Sequence, residues 1–239
     1  TVNPTPVANA VSNQTLCNGA TTTAVTFGSS VAGTTYSWTN TAASIGLATS
    51  GAGNIPAFTA TNTGTAPMVA TIAVTPTANG CAGAATTFTY TVNPTPVVNA
   101  VANQTVCNSA TTTAVAFGGA VSGTAYSWTN SNTAIGLAAS GTGDIASFTA
   151  VNTTNVPIVS TVTVTPSANS CAGTATTFTF AVNPTPTVLA IANQTVCNGA
   201  TTTAVNFGSP VAGATYSWTN SNTAIGLAAS GNGNIPAFT

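Results

Sequence analysis

Five cysteines are the side chains in this 239-residue chain best suited to covalent chemistry, and they fall on a strict spacing. Cys17, Cys107 and Cys197 stand 90 residues apart, as do Cys81 and Cys171. No CxxC pair and no histidine accompany them, which removes the usual zinc ligand sets. What remains is thiol oxidation, and cysteines on a fixed period in a Thr-rich chain read as disulfides of an oxidising compartment. The spacing leaves their connectivity open.

Acid–base chemistry has almost nothing to work with. Lys, Arg and His are absent, and Asp plus Glu total one, Asp144. General acid–base catalysis draws on those residue types, so no catalytic residue is assigned and the chain is not expected to be an enzyme. No cofactor-binding motif stands out either. Gly141-Thr142-Gly143 and Gly231-Asn232-Gly233 lack the lysine and following helix of a phosphate loop. Phosphate backbones are held by Lys and Arg, so nucleic acid is excluded as a partner, and attraction to anionic lipid fails for the same reason. One carboxylate in three repeats builds no repeating calcium site. Asp144 itself reads as a solvated turn residue, because Asn54 and Asn234 take its place one repeat away.

Three further features carry a binding or modification reading beside a structural one. Asn13, Asn103 and Asn193 head Asn-Gln-Thr sequons and Asn152 heads Asn-Thr-Thr. These take a glycan only in a host with that machinery, and otherwise they are turns. Tyr36 and Trp38 alternate, which puts both on one strand face. There they would either stack a surface glycan or fill a core, and the core is the simpler reading. Trp38, Trp128 and Trp218 are the core aromatics on that view. The near-complete lack of charge removes long-range repulsion and favours association with further copies of the chain, laterally or end to end.

The elements that position these residues repeat with the cysteines. TVNPTP at Thr1 returns at Thr91 and as AVNPTP at Ala181, and Trp38, Trp128 and Trp218 keep the same 90-residue step. The chain therefore divides into repeats 1–90, 91–180 and 181–239, the third shorter than the others. A solenoid or propeller unit runs about 20–50 residues, whereas a 90-residue period suits a small domain with its own core. The pattern reaches both ends of the chain, so an internal piece of a longer polypeptide is expected. No run of about 18 apolar residues occurs, so no membrane insertion is expected.

Within repeat 1, short alternating runs separated by Gly, Asn, Pro and Ser predict strands and no long helix. They fall at Val7–Leu16, Ala20–Phe27, Thr34–Asn40, Ser44–Ala48, Ile55–Thr61, Met68–Thr75 and Ala85–Val92. Gly51–Asn54 and Asn79-Gly80 read as turns. Seven strands with an aromatic on the third suggest an immunoglobulin-like β-sandwich. Asn93-Pro94-Thr95-Pro96 makes a short, stiff junction, so the units are expected to form an elongated rod. In that strand order Cys17 lies at one pole of its unit and Cys81 at the other, while a disulfide needs Cα atoms within about 7 Å. Two outcomes meet the conflict. Either the first strand is arranged differently and each unit closes Cys17–Cys81 and Cys107–Cys171, or neighbours are stapled by Cys17–Cys171. The first is narrowly preferred, and free thiols are the third outcome.

The strings NQTVCNGATTTAVNF (193–207), YSWTN (216–220), IGLAASG (225–231), TVTVTP (161–166) and TVNPTP (91–96) resemble the PKD-like, immunoglobulin-like repeats of giant Bacteroidota surface adhesins. The resemblance covers the whole chain, with SWTN standing where the PKD segment has a Trp-Asp-Phe-Gly-Asp-Gly type string. It implies all-β tandem repeats on a long cell-surface adhesin, exported by the type IX system and in some members serving gliding motility. It carries over no catalytic residue. The expected role is the non-catalytic shaft of an extracellular filament or adhesin. A multivalent glycan- or surface-binding array and a self-associating fibre subunit are the alternatives.

Overall fold

Thr, Val and aromatic residues on alternate positions build strands because each side chain can then choose between core and solvent. The computed structural model describes residues 2–239. Repeat 1 contains β1 (Gln14–Cys17), β2 (Thr35–Asn40), β3 (Ser50–Ala52), β4 (Met68–Ala78), β5 (Cys81–Ala82) and β6 (Thr86–Asn93). Repeat 2 repeats them as β7 (Gln104–Cys107), β8 (Ala125–Asn130), β9 (Ser140–Thr142), β10 (Ile158–Ala168), β11 (Cys171–Ala172) and β12 (Thr176–Asn183). Repeat 3 contributes β13 (Ser217–Thr219) and β14 (Ser230–Asn232).

The main sheet of repeat 1 runs β1-β6-β4-β2-β3, with β5 extending the β4 hairpin. All neighbours are antiparallel except β1 and β6, which run parallel with Gln14 opposite Tyr90 and Cys17 opposite Asn93. Repeat 2 has the same order and register. The facing layer is held by bridges rather than long ladders, Thr21 to Thr59 and Val25 to Ile55. Together they make an all-β, immunoglobulin-like sandwich. The core lies between the layers: Trp38, Ile72, Val74, Phe88 and Tyr90 come from the sheet, and Val25, Phe27, Ile45 and Ile55 from the facing layer. Burying such side chains stabilises by about 1.5–3 kcal/mol each. Repeat 2 has its own cluster around Trp128, Val162, Phe178 and Phe180.

Four strand expectations are corrected. Val7–Leu16 shrinks to Gln14–Cys17. Ala20–Phe27 and Ile55–Thr61 meet only at the two bridges, because side chains take over the backbone donors: Phe58 N donates to Thr22 Oγ1 (3.0 Å) and Phe27 N to Asn54 Oδ1 (3.0 Å). Ser44–Ala48 holds a 3-10 turn, Ala43–Ile45, ended by Gly46 at φ +96°, a left-handed conformation that favours glycine. The strand expected there lies at β3, overlapping the segment read as a turn. Gly51 is in it for lack of volume: a Cβ would overlap the Trp38 indole.

Repeat 3 keeps the bridge Val205 to Ile235 and the β13–β14 pair. Its Ile225 is 53% exposed, whereas the equivalent Ile45 and Ile135 are fully covered. The segments equivalent to β4 and β6 close that face in the first two repeats. Among the described residues no helix is long and apolar enough to cross a membrane.

Candidate functional site at the first repeat junction

The parallel pairing of β1 with β6 carries Cys17 to the end of β6, where one repeat hands over to the next. Asn18 N donates to Asn93 O at 2.8 Å, and Asn18 Nδ2 donates to Thr95 Oγ1 at 3.2 Å. On the other side stands the β10–β11 hairpin of repeat 2, turned by Asn169 and Ser170 with φ +50° and +64°. Asn93 Nδ2 donates to Asn169 O at 3.2 Å across the gap. The Pro96 carbonyl packs against Gly173 so closely that any Cβ there would collide. Asn93, Pro96 and Cys171 are buried in this contact.

Cys17 and Cys171 are joined by a disulfide, with Cα atoms 5.6 Å apart. The narrowly preferred within-repeat bonds Cys17–Cys81 and Cys107–Cys171 are therefore corrected. Cys81 opens β5 ahead of β6, while Cys17 lies beside the far end of β6. Eight residues of strand, roughly 25 Å at about 3.3 Å per residue, separate the two positions, beyond the reach of a disulfide. Cys81 is a half-buried thiol, and Cys107 and Cys197 are exposed thiols. Sequence reasoning placed Asn93 and Thr95 in the junction without giving their side chains a role, and it did not single out Asn169 or Gly173. The one signal for them was their recurrence at 90-residue spacing beside the cysteines.

The remaining candidates resolve into structure. Asp144 Oδ1 accepts from Phe117 N at 2.8 Å, as Asn54 and Asn234 accept from Phe27 N and Phe207 N, so it caps a turn. Asn13 and Asn103 accept from Thr89 N and Thr179 N, each at 2.8 Å, pinning the strand before the junction. Asn152 is buried and its amide nitrogen donates to Val156 O and Val182 O at 2.8 and 2.7 Å. That engagement leaves no accessible nitrogen for a glycan. Trp38 and Trp128 are in the core at 6% and 7% exposure, and Tyr36 rests against Phe27 with ring centroids 5.5 Å apart. Trp218 shares the position in repeat 3, over Gly231. In the two closed repeats the aromatic pair therefore faces inward. Burial pushes the Tyr90 hydroxyl above the usual tyrosine value. Among the described residues no three His, Cys, Asp or Glu side chains cluster as a metal would require. An open groove of about 510 Å³ lies in repeat 3, lined by Val196, Val205, Ile225, Leu227, Ile235 and Phe238.

No protein-family model matches the chain, and no curated protein does. Solved structures with a similar arrangement include mouse cadherin-23 EC22-24, at 13% identity and TM-score 0.41 over 77% of this chain and 68% of that one. DIP-gamma IG1+IG2 is similar at 8% identity and TM-score 0.40, over 75% and 98%. Protocadherin gamma B7 extracellular cadherin domains 1-4 are similar at 9% identity and TM-score 0.38, over 97% and 67%.

Proposed function

We propose that the chain is a non-catalytic structural array, the shaft or spacer of an extracellular filament or adhesin. The observation that carries this reading is the Cys17–Cys171 bond, which ties one repeat to the next instead of closing a repeat on itself. A bond between units stabilises their alignment, a property that matters for spanning distance. The near-absence of ionisable side chains supports the same reading, because it leaves little with which to run chemistry. A disulfide suits an oxidising compartment. The cell-surface location, the type IX route and the gliding-adhesin role belong to this proposal through the repeat's resemblance to Bacteroidota adhesins. Small-angle scattering from two- and three-repeat lengths tests it. The maximum dimension should rise by roughly 35–45 Å per repeat, about a strand length plus a junction. Equal dimensions for the two lengths would overturn it.

Lateral self-association is a second reading, favoured by the outer sheet face. Thr71, Thr75, Thr87, Thr89 and Thr91 sit opposite the core-facing positions of β4 and β6, and no charge on this face repels a copy of itself. Electron micrographs should then display bundles, and single thin threads alone would exclude it. With the aromatic pair turned inward, the glycan-binding alternative loses its platform in repeats 1 and 2.

A further inference from the structure

The half-sites of the Cys17–Cys171 staple recur at both ends of the described array. On the lower side of repeat 2, Cys107 lies opposite Asn183 as Cys17 lies opposite Asn93. Asn108 N donates to Asn183 O at 2.8 Å and Asn108 Nδ2 to Thr185 Oγ1 at 3.3 Å, reproducing the Asn18 contacts. On the upper side of repeat 1, Asn3 Nδ2 donates to Asn79 O at 3.4 Å, as Asn93 does to Asn169. Asn79 and Gly80 turn the hairpin with positive φ, +48° and +77°, and Gly83 packs under the Pro6 carbonyl as Gly173 does under Pro96. Pro6 is buried there like Pro96, whereas Pro186, which no hairpin covers, is exposed.

We propose that Cys107 and Cys81 are further staple positions. Cys107 takes the hairpin cysteine of a repeat that follows, and Cys81 takes the strand-end cysteine of a repeat that precedes. The partner in each case is another repeat of this chain's own type, recognised by an Asn-turned hairpin whose cysteine lies two residues past the Asn. Two thiols become one disulfide, so an oxidant is required, and a low-molecular-weight disulfide serves. One thiolate attacks it to give a mixed disulfide, and the second thiolate displaces the small thiol. The carrier ends as two thiols and the protein as one S–S bond.

The test lengthens the full chain in two ways. In the first, a copy of residues 150–183 follows Thr239, supplying repeat 3 with the strands that β10 and β12 supply to repeat 2. After oxidation with glutathione disulfide, non-reducing peptide mapping should join Cys107 to the appended copy of Cys171. Cys81 and Cys197 should remain alkylatable, and a Cys107→Ser variant should leave the appended cysteine free. In the second, a copy of residues 91–180, a unit with a complete core, precedes Thr1, and Cys81 should bond to the added copy of Cys107. Blue-shifted Trp218 emission reports closure of repeat 3 in the first chain. The second chain tests the same rule without needing that closure. A bond from Cys197 to the appended cysteine, or thiols persisting at Cys107 and Cys81 after oxidation, would overturn the proposal. Peptide mapping reads bonding and scattering reads shape, so this result stands apart from the shaft reading.

Discussion

Gly51 and Gly141 leave room for an indole. Replacing Gly51 with Ala drives a methyl into the Trp38 ring, an overpacking that costs about 1–3 kcal/mol. Chemical denaturation of Gly51→Ala should register that loss in repeat 1 alone. Asn62 and Asn152 carry a different burden. Asn62 Nδ2 donates to Ala66 O at 2.9 Å and Val92 O at 2.7 Å, deep beneath the end of β6. Asn62→Ala strips a buried carbonyl of its partner, and a loss of about 1–3 kcal/mol follows. A melt within a few tenths of a degree of wild type would contradict this assignment. Burial of the Tyr90 hydroxyl favours its neutral form in the fold. The folded value lies above the unfolded one, near 10, so this group's contribution is whole below pH 10 and is lost as pH rises from there through the folded value. Unfolding midpoints should fall above about pH 10, and Tyr90→Phe should flatten that fall.

At the scale of the element, β2, β4 and β6 were legible because apolar and polar residues alternate with period two and an Asn-Gly turn joins β4 to β5. The facing layer was less so. Thr22 and Asn54 satisfy backbone donors with side chains there, and hydrophobic alternation carries no trace of that exchange. β3 was hidden because glycine reads as a bend unless the neighbouring Trp38 is already in place. The staple depends on where the ends of β1 and the β10–β11 hairpin fall relative to one another, a relation between repeats that spacing within one repeat leaves open. The bond closes a loop with a sequence separation of 154. A chain-entropy account assigns about 4.7 kcal/mol to a 100-residue loop and about 5 kcal/mol to this longer one, an upper figure for what Cys17→Ser removes. Calorimetry of Cys17→Ser should reveal lower and less coupled melting of repeats 1 and 2. An unchanged trace would mean the bond contributes nothing to their docking.

The whole molecule has a single carboxylate and no basic side chain, so little titrates between about pH 5 and pH 8 and stability should be flat across that range. A midpoint that drifts by several degrees there would contradict this expectation. The bond between Cys17 and Cys171 also decides which part of the polymer feels a pull. Tension applied to the two ends travels from Val2 to Cys17, crosses the sulfur atoms, and continues from Cys171 to Thr239. Residues 18–170, which hold the core residues of repeat 1 from Val25 to Val92 together with β8 and β10 of repeat 2, hang off that route as slack, whereas β12 with Phe178, Phe180 and Val182 lies on it. About 500 Å of chain, at roughly 3.4 Å per residue, stays in reserve until a reductant cuts the shortcut. A pull therefore spares everything between the two sulfur atoms while the bond is intact, and it reaches the second sandwich through β12.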